Sequence, residues 1–303
     1  MVNSIALISS PFQLVCLKEY IFDSNIEDIE IVFINSSNTE TVKKQVFLVA
    51  EFLDLKINKS FKNQNRFFYL RLFKEFFLKR VNNLILGSYF NSSFFVLSKL
   101  IKFTSLIFID DGLATLFINK NHKIDNSLMG KYFKWDYGCF FSVFSNFKNQ
   151  NISVLLKNNF NFLKSILNEK TIKNYSILLG GNFIESGLTS SHNYIKILNS
   201  ISDRYEGEII YIPHRLELPS NYKNYPFKIL ETDVCFEIFL IQLNSLPNNI
   251  FGFYTTALIT SKNILSEYSK IDFINFNTNY FSTEIKVLFD EIFIDSLIRT
   301  EDL

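Results

Sequence analysis

The chain of 303 residues contains only 3 cysteines, 5 prolines and 9 glycines. Cys16, Cys139 and Cys235 are far apart in the sequence and show no Cys-x-x-Cys spacing. This pattern argues against a cysteine-based zinc site and against a disulfide framework. We therefore expect free thiols and a reducing compartment.

The sequence also lacks an excess of charge of one sign and any long hydrophobic run. Its formal net charge of +1 argues against a nucleic-acid-binding groove and against overall electrostatic attraction to anionic lipids, and it leaves local basic clusters open. The apolar run 5–8 is too short for a signal peptide and has no basic segment before it. No stretch approaches the roughly 18 apolar residues that a membrane span requires. We expect a cytoplasmic protein, with peripheral contact to the inner membrane left open.

Hydrophobic residues make up 48% of the chain, enough to fill the cores of two domains. Short apolar runs alternate with helical patterns, which is typical of parallel sheets covered by helices. The predicted strands are 5–8, 29–34, 67–70, 84–86, 106–109, 175–179, 209–212, 227–230, 250–253 and 271–276. The predicted helices include 12–22, 41–53, 190–201, 234–244 and 282–298.

The two domains are predicted from a break in this alternation. An Asn-rich polar segment, 146–151, is followed by a helical pattern, and the strand–turn–helix order starts again at about residue 175. The sequence predicts two doubly wound α/β domains, 1–165 and 166–303, that face a central cleft. In an alternative arrangement, the last helix packs back on the first domain.

The strand 209–212 ends at Pro213, and His214 follows directly. Ligands of open α/β sheets bind just outside the carboxyl ends of the strands. A histidine at this position can hydrogen-bond a phosphate group or give it a proton. The alternative is a histidine that only caps a strand.

Asp110, Asp111 and Gly112 follow another apolar strand. Adjacent carboxylates repel each other, so one can have a raised pKa and act as a base. Gly112 would let the backbone turn sharply. A solvated Asp-Asp-Gly turn is the alternative interpretation.

Gly180 and Gly181 also follow a predicted strand and would allow a ligand to approach the backbone closely. Their spacing does not match a dinucleotide-binding fingerprint. Glu185 is a candidate base, or else an acidic residue ahead of the next helix. Thr255 and Thr256, at a predicted helix start, could bind an anion or act as ordinary N-caps.

Read in order, four motifs resemble those of bacterial sialyltransferases of glycosyltransferase family 52, which act on lipooligosaccharide and capsule. They are Ser-Pro-Phe-Gln at 10–13, Asp-Asp-Gly at 110–112, Tyr-Ile-Pro-His at 211–214 with Glu217, and Tyr-Thr-Thr-Ala-Leu at 254–258. The resemblance implies a GT-B fold with two Rossmann-like domains. It further implies that the C-terminal domain binds the donor, CMP-sialic acid, and that the N-terminal domain lies on the acceptor side.

In such enzymes a carboxylate deprotonates the acceptor hydroxyl, while a histidine and paired hydroxyl residues contact the CMP phosphate. Carried over, the phosphate-binding residues are His214, Thr255 and Thr256. The candidate bases are Asp110, Glu185 and Asp111, in that order of preference. The remaining residues assigned to substrate binding are Ser10, Gly112, Gly180, Gly181, Asn182, Arg215 and Glu217.

One position departs from the family pattern, because Arg215 stands where a proline usually follows the histidine. Arginine can pair bidentately with a phosphate or a carboxylate. The donor has a single phosphate, and no Asp-x-Asp motif ends a strand, so no metal or other cofactor is expected.

The expected acceptor is a galactoside-type glycan or glycolipid, and a homodimer is left open. The alternative functions are a family 52 hexosyltransferase with a UDP-sugar donor and a non-catalytic sugar-nucleotide-binding protein of capsule assembly.

The segment that ends at Arg80 is rich in aromatic and basic residues. On a helix, Leu72 and Phe76 fall on one side, and Phe73 and Phe77 fall with Arg80 on another. The apolar residues spread widely, which favours a core helix or a dimer contact with snorkelling basic ends. The other hypothesis is that Phe73, Phe77 and Arg80 rest against lipid.

Overall fold

The structure is a computed structural model that describes residues 3–35, 40–63, 67–113, 115, 139–144, 154–275 and 283–300. The chain divides into two compact units, Met1–Ser165 and Ile166–Leu303. Each unit contains one parallel sheet whose strands alternate with helices. The polar segment 146–151, where we predicted the crossing between domains, lies outside the described residues.

The first unit is built on a seven-stranded parallel sheet of order β3-β2-β1-β4-β5-β6-β7. Its strands are β1 (Ser4–Ile8), β2 (Ile29–Asn35), β3 (Ile57–Lys62), β4 (Arg80–Leu86), β5 (Lys102–Ile109), β6 (Cys139–Ser142) and β7 (Val154–Lys157). Its helices are α1 (Pro11–Ser24), α2 (Glu40–Phe52), α3 (Phe68–Phe76), α4 (Ser92–Leu100) and α5 (Asn161–Leu167). The strand order reverses between β1 and β4, so this is the topological switch point of the first sheet.

The central strands of this sheet are apolar on both faces, because helices cover both sides. Every residue of β1 is buried. Helix α1 carries one buried acid, Glu19, which accepts the backbone N–H groups of Phe162 and Leu163 at 2.9 Å each. Burial raises the pKa of Glu19 to about 7. This carboxyl group therefore ties α1 to the first turn of α5.

The second unit is built on a six-stranded parallel sheet of order β10-β9-β8-β11-β12-β13. Its strands are β8 (Thr171–Leu179), β9 (Ile209–Ile212), β10 (Lys228–Ile229), β11 (Ser245–Gly252), β12 (Lys270–Asn275) and β13 (Leu297–Arg299). Its helices are α6 (Ser191–Arg204), α7 (Pro219–Tyr222), α8 (Phe236–Gln242), α9 (Thr256–Leu265) and α10 (Thr283–Ile292). The switch point of this sheet lies between β8 and β11.

Aromatic side chains dominate one part of the second core. Tyr194 and Tyr211 are fully buried, and Phe253 lies within 5.8 Å of Tyr194, measured between ring centroids. The buried members of this cluster come from α6, from the strands β8, β9 and β11, and also from α7, β12, β13 and connecting loops. The core therefore fixes the carboxyl ends of three adjacent strands relative to one another.

Two secondary-structure predictions were wrong. Residues 67–70 were predicted as a strand, but α3 begins at Phe68, because Phe68, Leu72 and Phe76 repeat every four residues and bury one helical face. The last predicted helix, 282–298, ends at Ile292, and β13 follows and pairs with β12. Strand β3, which was not predicted, alternates half-buried with exposed residues and has a polar sequence, as edge strands often do.

Candidate functional site

In the first unit, a cluster of hydrogen-bonded polar residues lies at the carboxyl ends of β1, β4 and β5. Gln13, fully buried on α1, accepts the backbone N–H of Ser9 at 2.7 Å through Oε1 and donates from Nε2 to Asp111 Oδ1 at 2.6 Å. Gly87 follows directly after β4, and only glycine fits there, because a Cβ atom would overlap the Gln13 amide. The switch point of this sheet thus presents a carboxylate held by a buried amide.

The two adjacent aspartates have different environments. Asp110 is fully buried, and its oxygens accept the Ser142 hydroxyl at 2.6 Å and the Val143 backbone N–H at 2.7 Å. Burial raises the pKa of Asp110 to about 7 despite these donors. Asp111 is half-buried, and its backbone N–H donates to Thr115 Oγ1 at 3.0 Å. Asp111 is therefore the more accessible of the two carboxyl groups, and the choice of base among Asp110, Glu185 and Asp111 stays a prediction.

Ser10 and Gly112 have local structural explanations. The Ser10 hydroxyl is the N-cap of α1 and accepts the backbone N–H of Gln13 at 3.4 Å. Gly112 has a φ of 67°, a left-handed conformation that favours glycine in the turn after Asp111. Both residues shape the loops around the carboxylate.

In the second unit, Glu217 joins the ends of β8 and β9. Its Oε1 accepts the Tyr211 hydroxyl at 2.6 Å and the Gly181 backbone N–H at 3.1 Å, and its Oε2 accepts the His214 backbone N–H at 3.1 Å. The residue is only 7% exposed, and burial raises the pKa of its carboxyl group to about 8. Its three hydrogen bonds hold the ends of β8 and β9 together, and its assignment to substrate binding stays a prediction.

Gly180 lies directly under this network. A Cβ atom at Gly180 would overlap the Tyr211 hydroxyl and approach Glu217 Oε2 to 2.8 Å. A Cβ atom at Gly181 would overlap the ring of Phe183. Both glycines are therefore required for close packing around the carboxyl group of Glu217.

His214 is a neutral imidazole with a defined tautomer. Burial, and to a lesser degree the charge of Arg215, lowers the pKa of His214 to about 4. Its Nδ1 accepts the backbone N–H of Leu216 at 3.3 Å, so Nδ1 carries no proton. The hydrogen is then on Nε2, which can donate to an anionic oxygen of a ligand.

Glu185 lies beside the loop that carries His214. Its Oε1 accepts the Leu218 backbone N–H at 2.7 Å and the Asn221 side-chain amide at 2.9 Å. Its Oε2 is buried and has no hydrogen-bond partner among the residues that the structure describes. Arg215 is exposed, while Asn182 is half-buried and uses its carbonyl to accept the Ser186 hydroxyl at 2.7 Å.

Thr255 and Thr256 follow β11, across the switch point from β8. Thr255 is the N-cap of α9, yet its side chain makes no capping hydrogen bond. Both threonines are half-buried. The first turn of a helix has unsatisfied backbone N–H groups and a positive dipole end, so this strand end can accept an anion.

The candidate site contains no metal-binding cluster that the structure can show. Within the described ranges, no group of three or more histidine, cysteine, aspartate or glutamate residues could hold a metal ion. The described helices likewise include none that is long and apolar enough to cross a membrane.

Solved structures show which fold these two sheets form. An alpha/beta-galactoside alpha-2,3-sialyltransferase from Photobacterium phosphoreum is 12% identical to this chain, with a TM-score of 0.56 over 99% of both chains. The UDP-GlcNAc 2-epimerase of Methanocaldococcus jannaschii, solved with UDP-GlcNAc and UDP, is 14% identical, with a TM-score of 0.57 over 100% of this chain and 90% of its own. The chain has the GT-B fold. No protein-family model matches the sequence, and neither does any curated protein.

A third structure of the same fold is that of Staphylococcus aureus MnaA with UDP, which is 8% identical with a TM-score of 0.52. It covers 91% of this chain and 80% of its own. The predicted fold class is therefore confirmed, while membership of family 52 stays a prediction.

Sequence reasoning missed several residues that shape the site. Gln13 was part of a quoted motif but received no role, and Gly87 and Ser142 were not considered. Two signals could have pointed to Gln13 and Gly87. One is a glutamine in the first turn of the helix after the first strand, and the other is a glycine directly after β4. Their partners are far away in sequence: Gln13 and Asp111 are 98 positions apart.

Proposed function

We propose that the protein is a glycosyltransferase that moves sialic acid from CMP-sialic acid to a galactoside-type acceptor. The observation that carries the proposal is the neutral His214, whose Nε2 bears hydrogen at the end of β9. The end of β11, next to β8 in the same sheet, supplies the hydroxyl of Thr255, which is not used for capping. We propose that this hydroxyl and His214 Nε2–H donate to one phosphate.

The second unit would bind the donor through this set. His214 Nε2–H and the hydroxyls of Thr255 and Thr256 would donate to the CMP phosphate, and the positive end of the α9 dipole would stabilise its charge. Exposed Arg215 is free to pair with the carboxylate of the donor sugar. Because a single phosphate carries limited charge, we propose that transfer needs no divalent metal.

The first unit would supply the base. Asp111 would accept the proton of the acceptor hydroxyl, whose oxygen attacks the anomeric carbon of the sialyl group. The bond from that carbon to the phosphate oxygen breaks, and CMP leaves with the bonding electron pair, which inverts the configuration. Gln13 would keep the carboxylate of Asp111 in position through its 2.6 Å hydrogen bond.

The direct test of the donor is ligand-dependent stability. CMP, UMP and UDP are compared in thermal unfolding without added metal. A ligand at 100 times its dissociation constant adds roughly 2.7 kcal/mol to the free energy of unfolding. We expect CMP to stabilise the protein most, and stabilisation by UDP alone would favour the UDP-sugar hexosyltransferase.

The test of the reaction is transfer from CMP-sialic acid to lactose in the presence of EDTA. We expect product to form at the same rate with and without the chelator. A strict requirement for magnesium or manganese would contradict the proposed metal-independent mechanism. CMP binding without transfer to any galactoside would support a non-catalytic sugar-nucleotide-binding protein instead.

A further inference from the structure

Helix α3 is apolar on two opposite sides, and only one of them is packed. Phe68, Leu72 and Phe76 are buried in the first unit. On the opposite side, and just after the helix, large apolar side chains are exposed to solvent. We call this set the outer face of α3, and its members with their exposed fractions are Leu70 (64%), Phe73 (46%), Phe77 (52%) and Leu78 (53%).

The outer face is a continuous surface and not a scatter of single residues. Leu70, Phe73 and Phe77 are three and four positions apart, so they follow one another along the same side of the helix. The rings of Phe73 and Phe77 stack with their centroids 4.4 Å apart. Contiguous exposed apolar surface of this kind usually marks an interaction site.

Positive charges border the outer face. Arg71, Lys74 and Arg80 are exposed, and none of them has an ion pair with another residue in the part of the chain that the structure describes. The acidic residue of this segment, Glu75, is paired with Lys59 at 2.5 Å. The outer face therefore combines apolar and positively charged groups without a free negative charge.

This combination discriminates between possible partners. In a twofold interface, a second copy of the chain would place an identical positively charged patch, with Arg71, Lys74 and Arg80, against the first. The like charges would oppose pairing. An anionic lipid surface attracts basic residues and accepts aromatic and aliphatic side chains at the level of the acyl boundary. Lysine and arginine can extend toward the headgroups while their stems cover apolar surface.

We propose that the outer face of α3 binds peripherally to an anionic membrane surface. The first unit would then be held at the bilayer with α3 lying in the interface plane. The proposal does not depend on the identity of the donor or on transferase activity, because none of the residues of the outer face belongs to the candidate site.

The experiment is flotation of the full chain with vesicles of phosphatidylcholine that contain about 40% of the anionic lipid phosphatidylglycerol. Pure phosphatidylcholine vesicles serve as the neutral comparison. We expect binding to the anionic vesicles, and F73S/F77S should weaken it roughly tenfold to hundredfold, because each ring loses its apolar transfer. R71E/K74E should weaken binding to anionic vesicles and abolish its salt dependence.

The matched control is F22S/F47S, which removes two phenylalanines of similar exposure, 48% and 41%, from α1 and α2. This control should float like the wild type. Circular dichroism verifies that every variant is folded, and sedimentation gives the oligomeric state.

Three results would overturn the proposal. They are no flotation of the wild type, equal flotation of wild type and F73S/F77S, or equal weakening by the F22S/F47S control. A wild-type dimer that F73S/F77S converts to a monomer, without vesicle binding, would assign the outer face to a second copy of the chain.

Discussion

Glu217→Gln should change how the stability of the second unit depends on pH. The carboxyl group of Glu217 accepts three hydrogen bonds in a buried site, and burial raises its pKa to about 8 from an unfolded value of 4.5. The folded state therefore binds the proton more tightly than the unfolded state. The stabilisation is complete below about pH 4.5 and is lost as the pH rises toward 8.

The magnitude follows from proton linkage. Between these two pKa values the folded state holds about one more proton, so the free energy of unfolding falls by about 1.4 kcal/mol per pH unit. From pH 5.5 to 7.5 this group alone removes roughly 2–3 kcal/mol. Glutamine has the shape of the protonated acid and cannot ionise, so Glu217→Gln should lack this decline. Other titrating groups, including His214, cancel in the difference between the two proteins.

The assay is urea unfolding at a series of pH values, with hydrogen exchange of the amides in β8 and β9 as the readout, so that this unit is measured alone. The wild-type and Glu217→Gln curves should diverge steadily from pH 5.5 to 7.5. Glu208→Gln is the control, because Glu208 is exposed at the other end of β9 and pairs with Lys228 on the surface. Parallel curves for wild type and Glu217→Gln would refute the reasoning.

Two further predictions concern catalysis. Asp111→Asn should abolish transfer and leave stabilisation by CMP intact. Asp110→Asn should mainly lower the melting temperature, because Asp110 is fully buried and bonded to Ser142 and Val143. Loss of activity in Asp110→Asn alone would reverse this assignment. His214→Ala should reduce turnover roughly 10²–10⁴-fold, the range for losing a positioned proton donor. The control is His192→Ala, at an exposed histidine, which should leave turnover unchanged. Near-normal turnover in His214→Ala would leave His214 as a structural residue.

Much of the fold was predictable because its signals are local. Strands such as β1, β5 and β9 are short apolar runs bounded by turn residues, and parallel sheets require such runs. Predictions failed where tertiary packing decides. The aromatic sequence around Phe68 has strand-like composition, but its four-residue spacing lets a helix bury one side. Edge strands such as β3 are half-exposed and polar, so they carry little signal of their own.

The candidate site was predictable only in its position along the chain. His214, Asp111 and Thr255 were found because each follows an apolar strand, and the fold brings such a position to the carboxyl edge of the sheet that its strand belongs to. Our ranking of Asp110 ahead of Asp111 rested on no local signal, because their environments are set by contacts 32 and 33 positions away for Asp110 and 98 positions away for Asp111. Burial, and with it the pKa of each carboxyl group, depends on those distant partners.

In the second unit, hydrogen bonds at the end of β9 orient the side chain of His214. Glu217 fixes the backbone of His214, and the Leu216 N–H then fixes the imidazole tautomer, so that Nε2 always presents its hydrogen. A hydrogen-bond donor that is already oriented needs little reorganisation when negative charge develops on a departing phosphate. The positioning carboxyl group can remain buried because its pKa of about 8 keeps it neutral near pH 7. Glu217 and His214 are therefore both neutral near pH 7, and the charges that act on this strand end come from Arg215 and Glu185.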